Sequence, residues 1–240
     1  MVSSQCSVTL AKVADSLDNE GFPAGEDTFG LKAVAQPSQR VRRLLVVVLV
    51  LLMVACGGGP LPWTDDFSDP SSGWKAETDA SAEVGYYEGV MRVLVKAPHC
   101  LAWASAGREF SDFRLAVEAT QIAGPDDNEY GVLVRMRDAD HFYRFSISGD
   151  GYYLVSKYDG GAWEVLNGDW TYSDAIHLGA ATNVLEVVCQ GAAMTFLVNG
   201  VQLVQVEDGG YPRGDVGLYA GSFFEPGVEV HFDDLSVAEP

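Results

Sequence analysis

From Trp63 to Pro240 apolar and polar side chains alternate in short runs, with period two rather than the three-to-four spacing of an amphipathic helix. Runs rich in Val, Ile, Tyr, Phe and Thr are separated by Gly, Asp, Asn and Pro clusters, the pattern of an all-β sandwich or barrel. The alternation predicts thirteen strands: 82–87, 90–95, 101–104, 113–122, 130–137, 141–148, 151–158, 162–166, 183–190, 193–198, 201–207, 215–219 and 227–237. Asn199-Gly200 predicts a two-residue hairpin turn, because that turn demands positive φ at both positions. Asp150-Gly151 and Asp159-Gly160 carry the same signal. So many strands exceed a small immunoglobulin-like sandwich and predict a jelly roll of two curved antiparallel sheets.

The faces follow from parity. In 130–137, Val132, Val134 and Met136 fall on one face and Leu133, Arg135 and Arg137 on the other. In 141–148, Tyr143, Phe145 and Ile147 oppose Phe142, Arg144, Ser146 and Ser148, and in 113–122, Phe113, Leu115 and Val117 oppose Arg114, Ala116, Glu118 and Thr120. If these strands are neighbours, Glu118, Arg135, Phe142 and Arg144 share one outward, concave face. Arginines that hydrogen-bond hydroxyls, beside a ring that stacks on a sugar, make that face a candidate glycan site. The alternative is a solvated lattice of cross-strand charge pairs, each contributing roughly 0.2–1 kcal/mol. Trp163 and Trp170 flank the loop-like Asn167-Gly168-Asp169 and are further ligand candidates, while most aromatics inside strands are assigned to the core.

Ahead of the β-rich region, Arg42-Arg43, the apolar run 44–55, Cys56 and Gly57-Gly58-Gly59-Pro60 read as basic segment, hydrophobic segment, cleavage site and linker of an export signal. The run falls short of the about 20 apolar residues that span a bilayer. Met53-Val54-Ala55-Cys56 resembles a bacterial lipobox, with Met where Leu is usual, which makes Cys56 the lipidated first residue of an exported, membrane-anchored protein. The expected organisation is 1–40 as a disordered or misannotated extension, with initiation at Val41; 41–55 as signal peptide; 56–62 as lipidated Cys and linker; and 63–240 as one domain.

Charge sharpens this division. Residues 1–56 hold five acids and five bases, so the remainder carries 34 − 5 = 29 acids against 15 − 5 = 10 bases, the whole net charge of −19. Such a surface repels nucleic acid and anionic headgroups, and leaves neutral ligands, cations and basic partners. Cys100 and Cys189 form an even pair in the exported part. An oxidising compartment permits a bridge; two buried thiols are the other reading.

Several blocks carry a resemblance: Asp65-Asp66-Phe67-Ser68-Asp69 with Gly73-Trp74; 124–132; His141-Phe142-Tyr143-Arg144-Phe145; Gly151-Tyr152-Tyr153; Gly214-Asp215-Val216-Gly217-Leu218; and Phe232-Asp233-Asp234-Leu235. In this order they resemble the concanavalin A-like jelly rolls grouped with 3-keto-disaccharide hydrolase-like and laminin-G-like domains, including those on bacterial envelope lipoproteins. The resemblance covers nearly all of 62–240. It implies a fold and, more weakly, a glycan partner; many relatives are binding modules. It also implies that the two chain ends lie side by side, where Asp66 and Asp233 would hold a structural calcium through hard oxygen ligands. No other cofactor is expected, and the domain is expected to be a monomer.

Catalysis has little sequence support. There is no Glu-x-Asp-x-x-Glu run, no His-Glu-x-x-His and no Gly-x-Ser-x-Gly, and the four histidines are scattered. Glu118, Glu129 and His141 are the groups that a hydrolase would draw on. The reading is therefore a lipid-anchored, glycan-binding jelly roll, with hydrolysis of a 3-keto disaccharide and a non-catalytic envelope interaction module as alternatives.

Overall fold

The structure, a computed structural model, describes residues 60–75 and 77–240; the expected signal peptide and the lipidation site Cys56 lie outside them. The described chain forms sixteen strands: β1 (Trp63–Asp65), β2 (Glu77–Thr78), β3 (Ala82–Tyr87), β4 (Val90–Val95), β5 (Cys100–Ser105), β6 (Phe113–Ala123), β7 (Asn128–Asp138), β8 (His141–Ile147), β9 (Tyr152–Asp159), β10 (Ala162–Val165), β11 (Thr171–Tyr172), β12 (Asn183–Gln190), β13 (Ala193–Val198), β14 (Val201–Glu207), β15 (Asp215–Ser222) and β16 (Val228–Ala238). All thirteen predicted strands are present. The three unpredicted ones, β1, β2 and β11, have two or three residues each, too few to show alternation.

A nine-stranded antiparallel sheet runs β14-β13-β12-β6-β16-β4-β3-β2, with β1 added beside β16, and a seven-stranded sheet runs β10-β9-β8-β7-β15-β5, with β11 beside β9. Their inner faces share one core, in which Phe113, Leu115 and Val117 of β6 meet Tyr143, Phe145 and Ile147 of β8. The Asn199-Gly200 turn has the predicted positive φ values, 52° and 78°.

Two expectations fail on topology. Strands β6 and β7 follow one another yet lie in different sheets, because Gly124-Pro125-Asp126-Asp127 crosses between the sheets instead of closing a hairpin. Glu118 is thus on the nine-stranded sheet, opposite Val184 and Asp233, and does not join Arg144. The second failure is in β7. Arg135 has φ 51° and sits at a bulge, where the pairing of β7 with β15 slips between Asp215 and Gly217. A bulge adds one residue and resets parity. Arg135 is consequently fully buried, with Nε and Nη2 donating to the Ser111 carbonyl and Nη2 lying 3.4 Å from Asp112 Oδ1. Met136 turns outward in its place, onto Phe142 and Leu133. Gly214 makes the bulge possible: a Cβ there would stand 2.4 Å from the Arg135 carbonyl carbon.

The sandwich has two distinct ends. At one, Ala123 pairs with Glu229, Asn128 with Ser222, and Ser222 with Cys100. At the other, Arg114 pairs with Ala238, Phe113 with Cys189, and Trp63 with Val237. The two buried cysteines are therefore in different sheets and at opposite ends, far beyond the roughly 7 Å between Cα atoms that a disulfide spans. Of the two readings of the pair, the structure has the buried thiols and not the bridge, and burial pushes the Cys189 thiol up to about 12.

Candidate functional site

The outer faces of the two sheets differ in kind. On the nine-stranded sheet Arg92 pairs with Glu83 and Glu229, Lys96 with Glu83, and Arg114 with Glu186. This is the solvated charge lattice, and Glu118 is exposed on the same sheet. The outer face of the seven-stranded sheet carries a second apolar cluster, Leu101, Trp103, Leu133, Met136, Phe142, Tyr158 and Tyr219, with Trp163 packed against it. Register explains the gathering: Phe142 is opposite Tyr158, Tyr158 opposite Trp163, and Tyr219 opposite Trp103. Ring centroids of Phe142 lie 5.5 Å from Tyr158, 5.8 Å from Trp163 and 6.2 Å from Trp103, within the range of edge and tilted ring contacts.

One charged pair is embedded in this layer. Arg144 Nη1 donates to Glu129 Oε1 at 2.9 Å and lies 2.8 Å from Oε2, which receives no hydrogen bond of its own. Arg144 Nε donates to Ser156 Oγ, and its guanidinium stands 4.0 Å from the Trp163 ring centroid, a cation–π contact. Burial drives the Glu129 carboxyl above its ordinary range, against the opposing pull of Arg144. Burial, reinforced by the charge of Glu129, also pushes up the phenol of Tyr219, which donates to Ser146 Oγ. Gly221 leaves room for the carboxylate, since a Cβ there would meet Glu129 Cγ at 2.8 Å.

Of the predicted ligand residues, the structure brings together Phe142, Arg144 and Trp163 and separates Arg135, Glu118 and Trp170. Phe142 forms the buried floor, whereas Trp163 is partly buried against it. Trp170 lines a different hollow at the end of the sandwich, with Asp127, Asn128, Ser148, Asp150, Tyr152 and Phe223. Sequence reasoning assigned Trp103 and Tyr158 to the core. Parity distinguishes their face, but only a strand neighbour shows that this face bears its own aromatic layer.

The calcium candidates lie on adjoining strands, since Asp65 of β1 is opposite Leu235 of β16. Asp66 lines a hollow with Asp65, Asp69, Asp234 and Arg108, and Asp233 is not among its walls. Asp66 Oδ1 accepts from the amide and hydroxyl of Ser68, and Asp65 accepts from Phe67 N, Ser72 Oγ and Trp74 Nε1. Among the described residues no three His, Cys, Asp or Glu side chains form a metal-holding group, and no helix is long and apolar enough to cross a membrane.

Two facing antiparallel sheets with an aromatic outer layer on one of them define a concanavalin A-like jelly-roll sandwich. Solved structures place the chain among particular sandwiches. It is similar to a galectin-like protein of unknown function from Bacillus subtilis (11% identity, TM-score 0.59, covering 76% of this chain and 97% of that one). It is also similar to the beta-glucanase of Bacillus licheniformis (10%, TM-score 0.56, 77% and 100%). A prokaryotic beta-1,3-1,4-glucanase from a mouse hindgut metagenome gives 10% identity and TM-score 0.57 over 75% of this chain and 99% of that one. No protein-family profile matches the chain, and no curated protein is similar to it in sequence.

Proposed function

We propose that the domain binds a neutral glycan on the outer face of the seven-stranded sheet, as a module tethered outside the cell through Cys56. The carrying observation is the contrast between the two outer faces. Folding requires only that an outer face be solvated, as the charge lattice on the nine-stranded sheet is. The aromatic layer with an embedded Glu129–Arg144 pair has a different chemistry: an indole to stack on a sugar ring, over a floor of buried rings held by an internal ion pair. Beta-glucan oligosaccharides are the first ligands to try, since two of the similar sandwiches are glucanases. Tethering is supported by the apolar run 44–55 and the lipobox-like 53–56, and fatty-acid labelling lost in Cys56→Ala tests it.

Calorimetric titration of residues 57–240 with a panel of neutral oligosaccharides tests the binding reading. Saturable binding that Trp163→Ala weakens at least about tenfold, some 1.4 kcal/mol, is the expected result. Absence of binding across the panel by folded protein, or binding that Trp163→Ala leaves unchanged, overturns it. Hydrolysis is the second reading. Glu129 supports it, because a carboxyl raised by burial suits a general acid. Glycoside hydrolysis ordinarily needs two carboxyl groups, and the ion-pair partner of Glu129 is a base, Arg144. Reducing ends released from a bound oligosaccharide, and lost in Glu129→Gln, would favour hydrolysis over binding alone.

A further inference from the structure

The hollow at the end of the sandwich has chemistry of its own. Its floor comes from the ends of β7, β8 and β9: Asn128, Ser148 and Tyr152, with Asp127 and Asp150 beside them. Its wall is a ring pair from two distant segments, Trp170 after β10 and Phe223 after β15, whose centroids are 6.1 Å apart at 86°. These segments follow strands at opposite sides of the β9-β8-β7-β15 order, so the pair closes across the strand ends. The hollow measures about 220 Å³, smaller than the roughly 300–1,000 Å³ clefts that take drug-sized ligands, and suits a single sugar ring.

Polar groups in the hollow divide into committed and uncommitted. Asn128 is fully buried and used up: Nδ2 donates to the Pro125 carbonyl and Oδ1 accepts from Gly149 N. Ser148 Oγ donates to Asp150 Oδ1 and accepts from Tyr152 N. Asp150 Oδ2 and the whole Asp127 carboxylate have no hydrogen-bond or ion-pair partner among the described residues. The segments hydrogen-bonded to the loops around the hollow bring three basic side chains, His99, His177 and Lys96, of which Lys96 pairs with Glu83 on the other sheet. The loops 124–127, 149–151, 166–170 and 223–227 contain Asp126, Asp127, Asp150, Asp169 and Glu225 and not one Lys or Arg.

Half-buried aromatic rings beside carboxylates without an ion-pair partner select for a cation, which gains both from the rings' quadrupoles and from the negative field. A plain hexose uses the rings but not the charge; an anionic sugar is repelled. From this complementarity we propose that the hollow is a binding subsite for an amino sugar carrying a free, protonated amine, with Trp170 and Phe223 against the ring and Asp127 and Asp150 facing the ammonium group. The site is separate from the Trp163 face and does not depend on it.

Fully deacetylated chitotriose and its N-acetylated counterpart are matched probes, differing in charge at each ring. Titration of residues 57–240 with both at about neutral pH should show the deacetylated trisaccharide binding at least about tenfold more tightly, a preference that shrinks between about 0.05 and 0.5 M salt. Trp170→Ala and the double variant Asp127→Asn/Asp150→Asn should each weaken it at least about fivefold. Glu88→Gln/Glu239→Gln removes two charges elsewhere and should have little effect. Equal affinity for the two trisaccharides overturns the proposal. So does a loss no greater in Asp127→Asn/Asp150→Asn than in the remote double variant, which would mark attraction to the protein's overall charge. Trp163→Ala should leave this binding intact; a parallel loss would assign the amino sugar to the sheet face and overturn the assignment to the hollow.

Discussion

Breaking the Glu129–Arg144 pair from one side tests how the aromatic face is held. The two side chains are each about nine-tenths buried, with Arg144 Nη1 2.9 Å from Glu129 Oε1. With charge centres about 4 Å apart and an effective dielectric of about 20, their attraction is about 4 kcal/mol. Arg144→Met preserves much of the side chain's volume but leaves the carboxylate buried alone, and should destabilise the domain by about 3–5 kcal/mol. For a domain of this size that lowers the melting midpoint by roughly 6–20 °C. Glu129→Gln strands the guanidinium instead. The double variant strands neither, and should cost less than the sum of the singles by about 2–3 kcal/mol. pH adds a second signature. Burial already raises the Glu129 carboxyl, and Arg144 is the group that opposes this; without Arg144 the folded-state pKa climbs further. A carboxyl raised in the folded state is most compatible with folding below its unfolded pKa, and its contribution is lost as pH rises through the folded value. The penalty of Arg144→Met should therefore be larger at about pH 8 than at about pH 5.5. Urea unfolding of the four proteins at both pH values supplies every number needed. Single penalties that add within about 0.5 kcal/mol, together with a penalty independent of pH, would refute the reasoning.

Three other outcomes follow from the same geometry. Asp208 accepts from Tyr143 Oη at 2.6 Å, Gly210 N at 2.6 Å and Lys157 Nζ at 3.1 Å; burial pulls its carboxyl upward, but these donors together outweigh it and hold the pKa low. Asp208→Asn should cost about 1.5–3 kcal/mol near neutrality. That gap should narrow in acid unfolding curves as pH falls below 3.8 and through the folded value, where the wild-type contribution is lost. Gly214→Ala drives a Cβ into the Arg135 backbone and should cost about 1–3 kcal/mol, whereas Gly209→Ala, whose nearest neighbour is 3.7 Å away, should leave the thermal midpoint nearly unchanged. Reducing agent should not shift the midpoint of residues 57–240, and Cys189 should react with a thiol reagent only after unfolding.

Much of the sandwich is legible in the chain because burial on one face enforces period two. Tyr143, Phe145 and Ile147 reach the core as parity requires, and Phe142 and Arg144 take the other side. Long-range choices are less visible. Gly124-Pro125 announces a turn but not that the turn changes sheets, and this misplaces Glu118. Nothing local to Arg135 marks a bulge; the signal lies some eighty residues later, in Gly214, which admits the displaced backbone. The hollow is hidden for the same reason. Trp170 stands out as a loop tryptophan, yet Phe223 becomes its partner only through the folding of β15 beside β7.

The pairing of β1 with β16 fixes how the domain can be mounted. Trp63 and Val237 are one strand spacing apart, about 4.8 Å, so polypeptide arriving before β1 and polypeptide departing after β16 share a single point of attachment. That point is at the Arg114 end of β6, while the Trp170 hollow lies beyond its Ala123 end, and eleven extended residues separate the two by about 35 Å. Whatever is joined to the domain through β1 or β16 is therefore joined at the end of the sandwich opposite the hollow.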